Sequence, residues 1–227
     1  MFLFLLLVAL MAALLLFALL RSRPTGSPPT YAFATWAGVL ALWLAVPGVL
    51  AARGMLTRFN PLPAPGLVVI GVITVATVAL AYSPVGGRMA AQISMAWLVG
   101  FQAFRLPLEL LLHRLYGEGY LPVQMTYAGR NFDIVTGITA LVLWFVLRRG
   151  APQRALVLAW NLLGMALLIN VVAVAVLSTP VPFRQFVNEP PVLVPAQFPW
   201  SWLPTFLVQA ALFGHLLVFR ALRRQAG

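Results

Sequence analysis

Arg105, Glu109 and His113 follow one another at four-residue intervals in the stretch FRLPLELLLH. On an α-helix four residues advance about 400°, so the three side chains drift only about 40° per step and share a face. A cation, an anion and an imidazole in register could bind a small polar group or pass a proton. Glu109 and His113, with Asp133, also have ligand types a metal accepts, although one i, i+4 pair is a weak metal signal and no metal is assigned. The rest of the stretch is leucine, phenylalanine and one proline. If the helix ends near Leu112, Arg105 lies roughly 10 Å below that end. A charge at such a depth in a bilayer costs about 2.5–3.5 kcal/mol unless it snorkels or pairs. Glu109 is the nearest partner along the chain, and Pro107 leaves the carbonyl of Ala103 free as a further acceptor. The stripe therefore reads as a paired polar seam on a kinked helix, facing protein rather than lipid. It serves equally as a ligand site or as an inter-helix fastening.

Two further stretches carry polar chemistry. In MTYAGRNFDIVTG, Arg130, Asn131 and Asp133 crowd the entrance of a helix. Asn131 suits an N-cap and Asp133 the positive end of the helix dipole. The same Asp133 could close a ring with Arg105 or Arg130. In STPVPFRQFVNEPPVLVPAQFPWSW, Arg184 and Glu189 sit amid prolines, valines and aromatics. Such a segment cannot span a bilayer, and it suits a lid that lies on the interface or dips back into the bundle. Asn161, Asn170, Gln209 and His215 are the remaining polar groups of the apolar segments. The two asparagines, nine positions apart, face opposite sides of a helix and read as independent inter-helix hydrogen bonds of about 0.6 kcal/mol each.

Several chemistries drop out. With no cysteine there is no disulfide, thiol nucleophile or cysteine-held cluster, and all fifteen basic residues are arginine, so no lysine can form a Schiff base. Bis-histidine haem would need two histidines at one depth, whereas His215 lies roughly 20 Å into its helix and His113 at the edge of its own. No phosphate-binding loop, nucleophile elbow or zinc-protease motif is present. The sequence specifies no cofactor and no catalytic residue.

The elements that position these groups are set by composition. The chain of 227 residues is 62% hydrophobic and only 8% charged, with a mean hydropathy of +0.96. A soluble domain carries about a quarter charged residues. A membrane protein is the class that fits, and the net charge of +11 reads as topology-setting arginine rather than a nucleic-acid surface. Seven segments are apolar enough to predict crossings: 1–20, 31–50, 67–82, 89–112, 132–147, 155–177 and 201–222. They form one domain over residues 1–227, with an uncleaved first helix. Nine arginines, among them Arg21, Arg88, Arg148, Arg149 and Arg220, fall on one side of this arrangement and five on the other. The positive-inside bias then predicts an outer N-terminus and a cytoplasmic C-terminus. All four carboxylates, Glu109, Glu118, Asp133 and Glu189, fall toward the outer side. The lysine-free, alanine- and leucine-rich composition suggests a GC-rich bacterial genome, hence a bacterial inner membrane.

The segments FRLPLE, MTYAGRNFDI and FPWSWLPTFLVQAALFGH resemble a family of uncharacterised bacterial multi-pass membrane proteins, over most of residues 100–220. The resemblance implies the membrane class and no activity. The expectation is an all-α, polytopic bundle of about seven helices with a kinked fourth helix and two longer outer loops. Arg105, Glu109, His113, Arg130, Asn131, Asp133, Arg184 and Glu189 would line an outward-facing pocket for a small polar or anionic ligand or a lipid headgroup, for transport or sensing. Two alternatives stand beside it. One is a membrane enzyme acting on a lipid or isoprenoid, with Glu109, His113 and Asp133 as acid–base groups. The other is an assembly subunit that docks a membrane-protein partner.

Overall fold

A computed structural model describes residues 1–60, 62–150 and 153–224. About three quarters of the chain is helical, and no strand occurs among the described residues. The helices are α1 (Phe2–Arg21), α2 (Pro29–Ala52), α3 (Pro65–Tyr82), α4 (Pro84–Gln92), α5 (Met95–Gly100), α6 (Arg105–Gly117), α7 (Asp133–Arg149), α8 (Arg154–Ser178) and α9 (Val208–Arg224). A 3₁₀ turn, Phe101–Phe104, joins α5 to α6, and a π-helical turn, Leu203–Leu207, leads into α9. Among the described residues, six helical stretches are long and apolar enough to cross a membrane: α1, α2, α3, Met95–Gly117, α8 and Leu203–Arg224.

The fourth predicted segment moves along the chain. It was expected at 89–112; the continuous stretch is Met95–Gly117, and residues 84–92 form a separate short helix. Local signals account for both shifts. Ser83 caps α4 by accepting from the amides of Val85 and Gly86, with Pro84 at the first helical position. Ile93 is extended, and Ser94 restarts a helix by accepting from the amide of Trp97. At the other end, Gly119 with φ +78° closes a Schellman motif, its amide bonding Tyr116 and that of Tyr120 bonding Leu115. Arg114 and Glu118 bridge at 2.7 Å across that last turn.

Leu203–Arg224 is the hub, with 72% of its most apolar stretch buried, against 11% for the peripheral α3. α7 packs along α5, the 3₁₀ turn and α6. The approach is closest at Gly137, where an added Cβ would stand 2.4 Å from the backbone nitrogen of Leu106. Small residues permit such backbone contact between helices in a membrane.

The connection from α6 to α7 is not a surface loop. Leu121, Gln124, Met125, Thr126 and Asn131 are buried, so residues 118–132 fold back along α6. The segment satisfies its own backbone: the amides of Arg130 and Asn131 donate to the carbonyls of Gln124 and Thr126, and that of Thr126 to Val123. Irregular backbone at this depth is tolerable only when paired in this way.

Candidate polar core

Glu109 lies two turns, about 12 Å, below the end of α6 at Gly117. The returning segment brings Asn131 and Asp133 to that level. Arg105, Glu109, Asn131, Asp133, Asn161 and His215 then form one network, none of them more than 5% exposed.

The Arg105 guanidinium grips Asp133 with two prongs: Nε donates to Oδ2 at 2.8 Å, and Nη2 donates to both carboxylate oxygens. Its Nη1 reaches the carbonyl of Gly164 at 3.4 Å and Nε2 of His215 at 3.0 Å. Glu109, the partner expected from sequence, bonds elsewhere. Its Oε2 accepts from Nδ2 of Asn131 at 2.6 Å, and the same amide donates to the carbonyl of Met125 at 3.1 Å. The geometry of α7 explains the switch, since Asp133 meets the planar fork of Arg105 from a second helix. The further acceptor for Arg105 is Gly164, not the carbonyl freed by Pro107. Asn131 still serves the start of α7, accepting from the amide of Asp133 at 3.2 Å, although the N-cap residue is Phe132.

His215 is tied down on both ring nitrogens. Arginine only donates, so Nε2 accepts and Nδ1 carries the hydrogen, which it gives to Oδ1 of Asn161 at 2.7 Å. Asn161 returns the bond from Nδ2 to the His215 carbonyl at 3.1 Å. Gly164 makes room, because a Cβ there would stand 2.5 Å from Cε1 of the imidazole. α6, α7, α8 and α9 are thus joined at one level.

Four of the eight residues singled out from sequence, Arg105, Glu109, Asn131 and Asp133, come together. The other four lie apart. His113 stacks on Tyr127 with ring centroids 4.3 Å apart, and its Nδ1 has no hydrogen-bond partner. Arg130 is exposed, with its guanidinium 5.0 Å above the Phe186 ring. Arg184 pairs with Glu189 at 3.3 Å within the 178–200 segment and also donates to the carbonyls of Phe186 and Asn188. That segment packs on the bundle through buried Val181, Val192 and Val194. Asn170 donates to the carbonyl of Arg130 at 2.7 Å, independently of Asn161.

His215 and Asn161 are the members that sequence reasoning placed outside the site. The missing signal was depth. With α6 running to Gly117, Arg105 lies about 18 Å from its end, the same as His215 from Leu203. Chemically the core holds one guanidinium and two carboxyl groups, and Glu109 has no cation of its own. Among the described residues no group of three or more histidine, aspartate or glutamate side chains is placed to hold a metal ion.

No curated protein and no solved structure matches the chain. Residues 62–223 match the domain of unknown function DUF8737, a span that contains the whole polar core and leaves out α1 and α2. The chain belongs to the DUF8737 family.

Proposed function

We propose that the protein crosses a bacterial inner membrane seven times and uses its polar core to bind a small polar or anionic ligand, or a lipid headgroup, in transport or sensing. The seventh crossing is α7, whose 17 residues are at the short end of the about 17–25 that a span needs. The 3₁₀ turn before Arg105 together with Pro107 is where the fourth crossing bends. The outer side is the one bearing Glu118, the 178–200 segment and the mouth of the returning connection.

The single observation behind the binding reading is a third ionisable group in the core: beside the Arg105–Asp133 pair lies buried Glu109, bonded to the amide of Asn131 and to no cation. Asp133 reaches Arg105 from the first turn of α7, directly after a non-helical segment, and supplies the anionic group a ligand would otherwise bring. In this closed arrangement Asp133 occupies the guanidinium; displacement of residues 118–132 would open it from the outer side. Thermal melting of the detergent-purified protein with inorganic phosphate, glycerol phosphate, phosphoethanolamine and acetate tests this. At least one should raise the melting temperature of the wild type and not of Arg105→Gln. Absence of any shift, or equal shifts in both proteins, would refute it.

A second reading is favoured by the completeness of the enclosure: the network is an internal keystone joining four helices, and partner docking uses another surface. The acid–base reading draws less support, since His113 stacks on Tyr127 and no hydrogen bond joins it to Glu109 or Asp133.

A further inference from the structure

The end of the bundle where α4 lies carries arginine and no acidic side chain. No aspartate or glutamate precedes Glu109 or follows Glu189, so α4 and the helices packed on it, α1, α3 and α9, have none. Their arginines bond to main-chain carbonyls instead. Nη1 of Arg220 donates to the carbonyls of Ala81 and Ser83, and Nη1 of Arg224 to that of Gly87 at 3.2 Å. Gly87 lets Arg220 lie against α4, since a Cβ there would stand 2.7 Å from its Nη2.

Capping the ends of α3 and α4 accounts for only part of these side chains. A guanidinium has five N–H donors. Nε and Nη2 of Arg220 and of Arg224 have no hydrogen-bond partner among the described residues; Arg220 is half-buried and Arg224 exposed. Both guanidinium groups touch Gly87, so they sit side by side with donors to spare. Two forks without a counter-ion match the charge and the several acceptor oxygens of a phosphate. α3 shows which source of phosphate fits. Val72, Val75, Val78 and Tyr82 are exposed and fall within about 120° of one helix face. Val72 to Tyr82 spans about 15 Å at 1.5 Å per residue, the hydrocarbon depth of about one leaflet. The stripe ends beside Arg220, whose guanidinium lies 5.9 Å from the centroid of the Tyr82 ring. An acyl chain along those valines would place its headgroup at the two arginines, with Tyr82 at the interface, where tyrosine is enriched.

We propose that Arg220 and Arg224, lying against Gly87, bind the phosphate of an anionic phospholipid whose acyl chain runs along α3. The inference rests on the membrane-crossing reading above and is independent of the Arg105 core. It predicts selection for net negative charge. A choline headgroup carries the same phosphate but brings a cation to helices that have no acid to receive it.

The test is native mass spectrometry of the detergent-purified full chain with dioleoyl phosphatidylglycerol and with dioleoyl phosphatidylcholine. The wild type should retain one phosphatidylglycerol about tenfold more than phosphatidylcholine, the worth of one charge-assisted hydrogen bond. Arg224→Gln should bring the two lipids to parity. Arg220→Gln also takes a cap from α3, so the exposed Arg224 carries the test. Arg149→Gln removes the same charge at the same end, beyond Leu147, which packs in one cluster with Met89 and Leu222; it should leave retention unchanged. Glycerol phosphate at equal concentration should not displace the lipid. Equal retention of the two lipids by the wild type, equal losses in Arg224→Gln and Arg149→Gln, or displacement by glycerol phosphate would each overturn the proposal. A chain that stayed in solution without detergent would instead refute the membrane crossings on which it rests.

Discussion

Nη1 of Arg105 lies 3.0 Å from Nε2 of His215, 110 residues later in the chain, and this contact dictates which imidazole nitrogen bears hydrogen. A guanidinium cannot accept, so His215 is neutral with its hydrogen on Nδ1. Nitrogen-15 spectra of histidine-labelled protein should show that tautomer for one of the two histidines and lose it in His215→Gln. Asn161→Leu removes the acceptor of the Nδ1 hydrogen and the donor to the His215 carbonyl. It should cost about 1–3 kcal/mol in detergent unfolding. A neutral effect would mean that the ring is not held as described.

The two acidic side chains of the core should respond very unequally to amide replacement. Asp133→Asn leaves the buried Arg105 without its anion, and breaking such a pair costs about 3–5 kcal/mol. Glu109→Gln keeps an acceptor for Asn131 and replaces an acidic group that no cation pairs, so its change should stay within about 1 kcal/mol. Thermal melts of both proteins in one detergent check this. If Glu109→Gln were the more damaging, Arg105 would be paired with Glu109 in the working protein.

Packing between α6 and α7 sets the register of the core. Gly137→Ala would drive a Cβ against the Leu106 backbone at 2.4 Å, with no flexible side chain to yield. Overpacking of this kind costs about 1–3 kcal/mol. Gly71→Ala is the control, because nothing lies within 4 Å of its Cβ position. The first variant should melt at a lower temperature than the wild type and the second should not.

The apolar, helical character of the chain and the meeting of Arg105 with Asp133 were readable from sequence because charge is scarce in so apolar a chain. The absence of Glu109 from that pairing was not. Four-residue spacing put Glu109 beside Arg105, but a bidentate partner on a second helix outcompetes one stacked on the same helix, and tertiary placement decides that. The depth of Arg105 was underestimated because the polar run HRLYGE looked like a loop. It is the last turn of α6, closed by Gly119. Residues 83–88 fell between two predicted segments, whereas Ser83 and Pro84 start α4. The folding-back of residues 118–132 had no local signal, since MTYAGRNF reads like any polar connection.

The direction of the chain across the membrane rests on α7, because six crossings would return the C-terminus to the side of the N-terminus and seven would not. Arginines already gather at one end of the bundle. Arg88 donates to Ser22, Arg220 to the carbonyls of Ala81 and Ser83, and Arg224 to Gly87, joining the ends of α1, α3 and α9. Positive residues at that end support its being cytoplasmic. The chain has no cysteine, so any introduced thiol is the sole reporter. Glu118→Cys and Glu189→Cys should react with an impermeant maleimide on intact bacteria. Thr25→Cys and Arg149→Cys should react only after permeabilisation. Glu118 and Arg149 flank α7 and its entry segment, so labelling of both from the same side would mean that α7 does not cross. Outer labelling of Thr25→Cys would invert the whole arrangement, placing the mouth of the polar core on the cytoplasmic side.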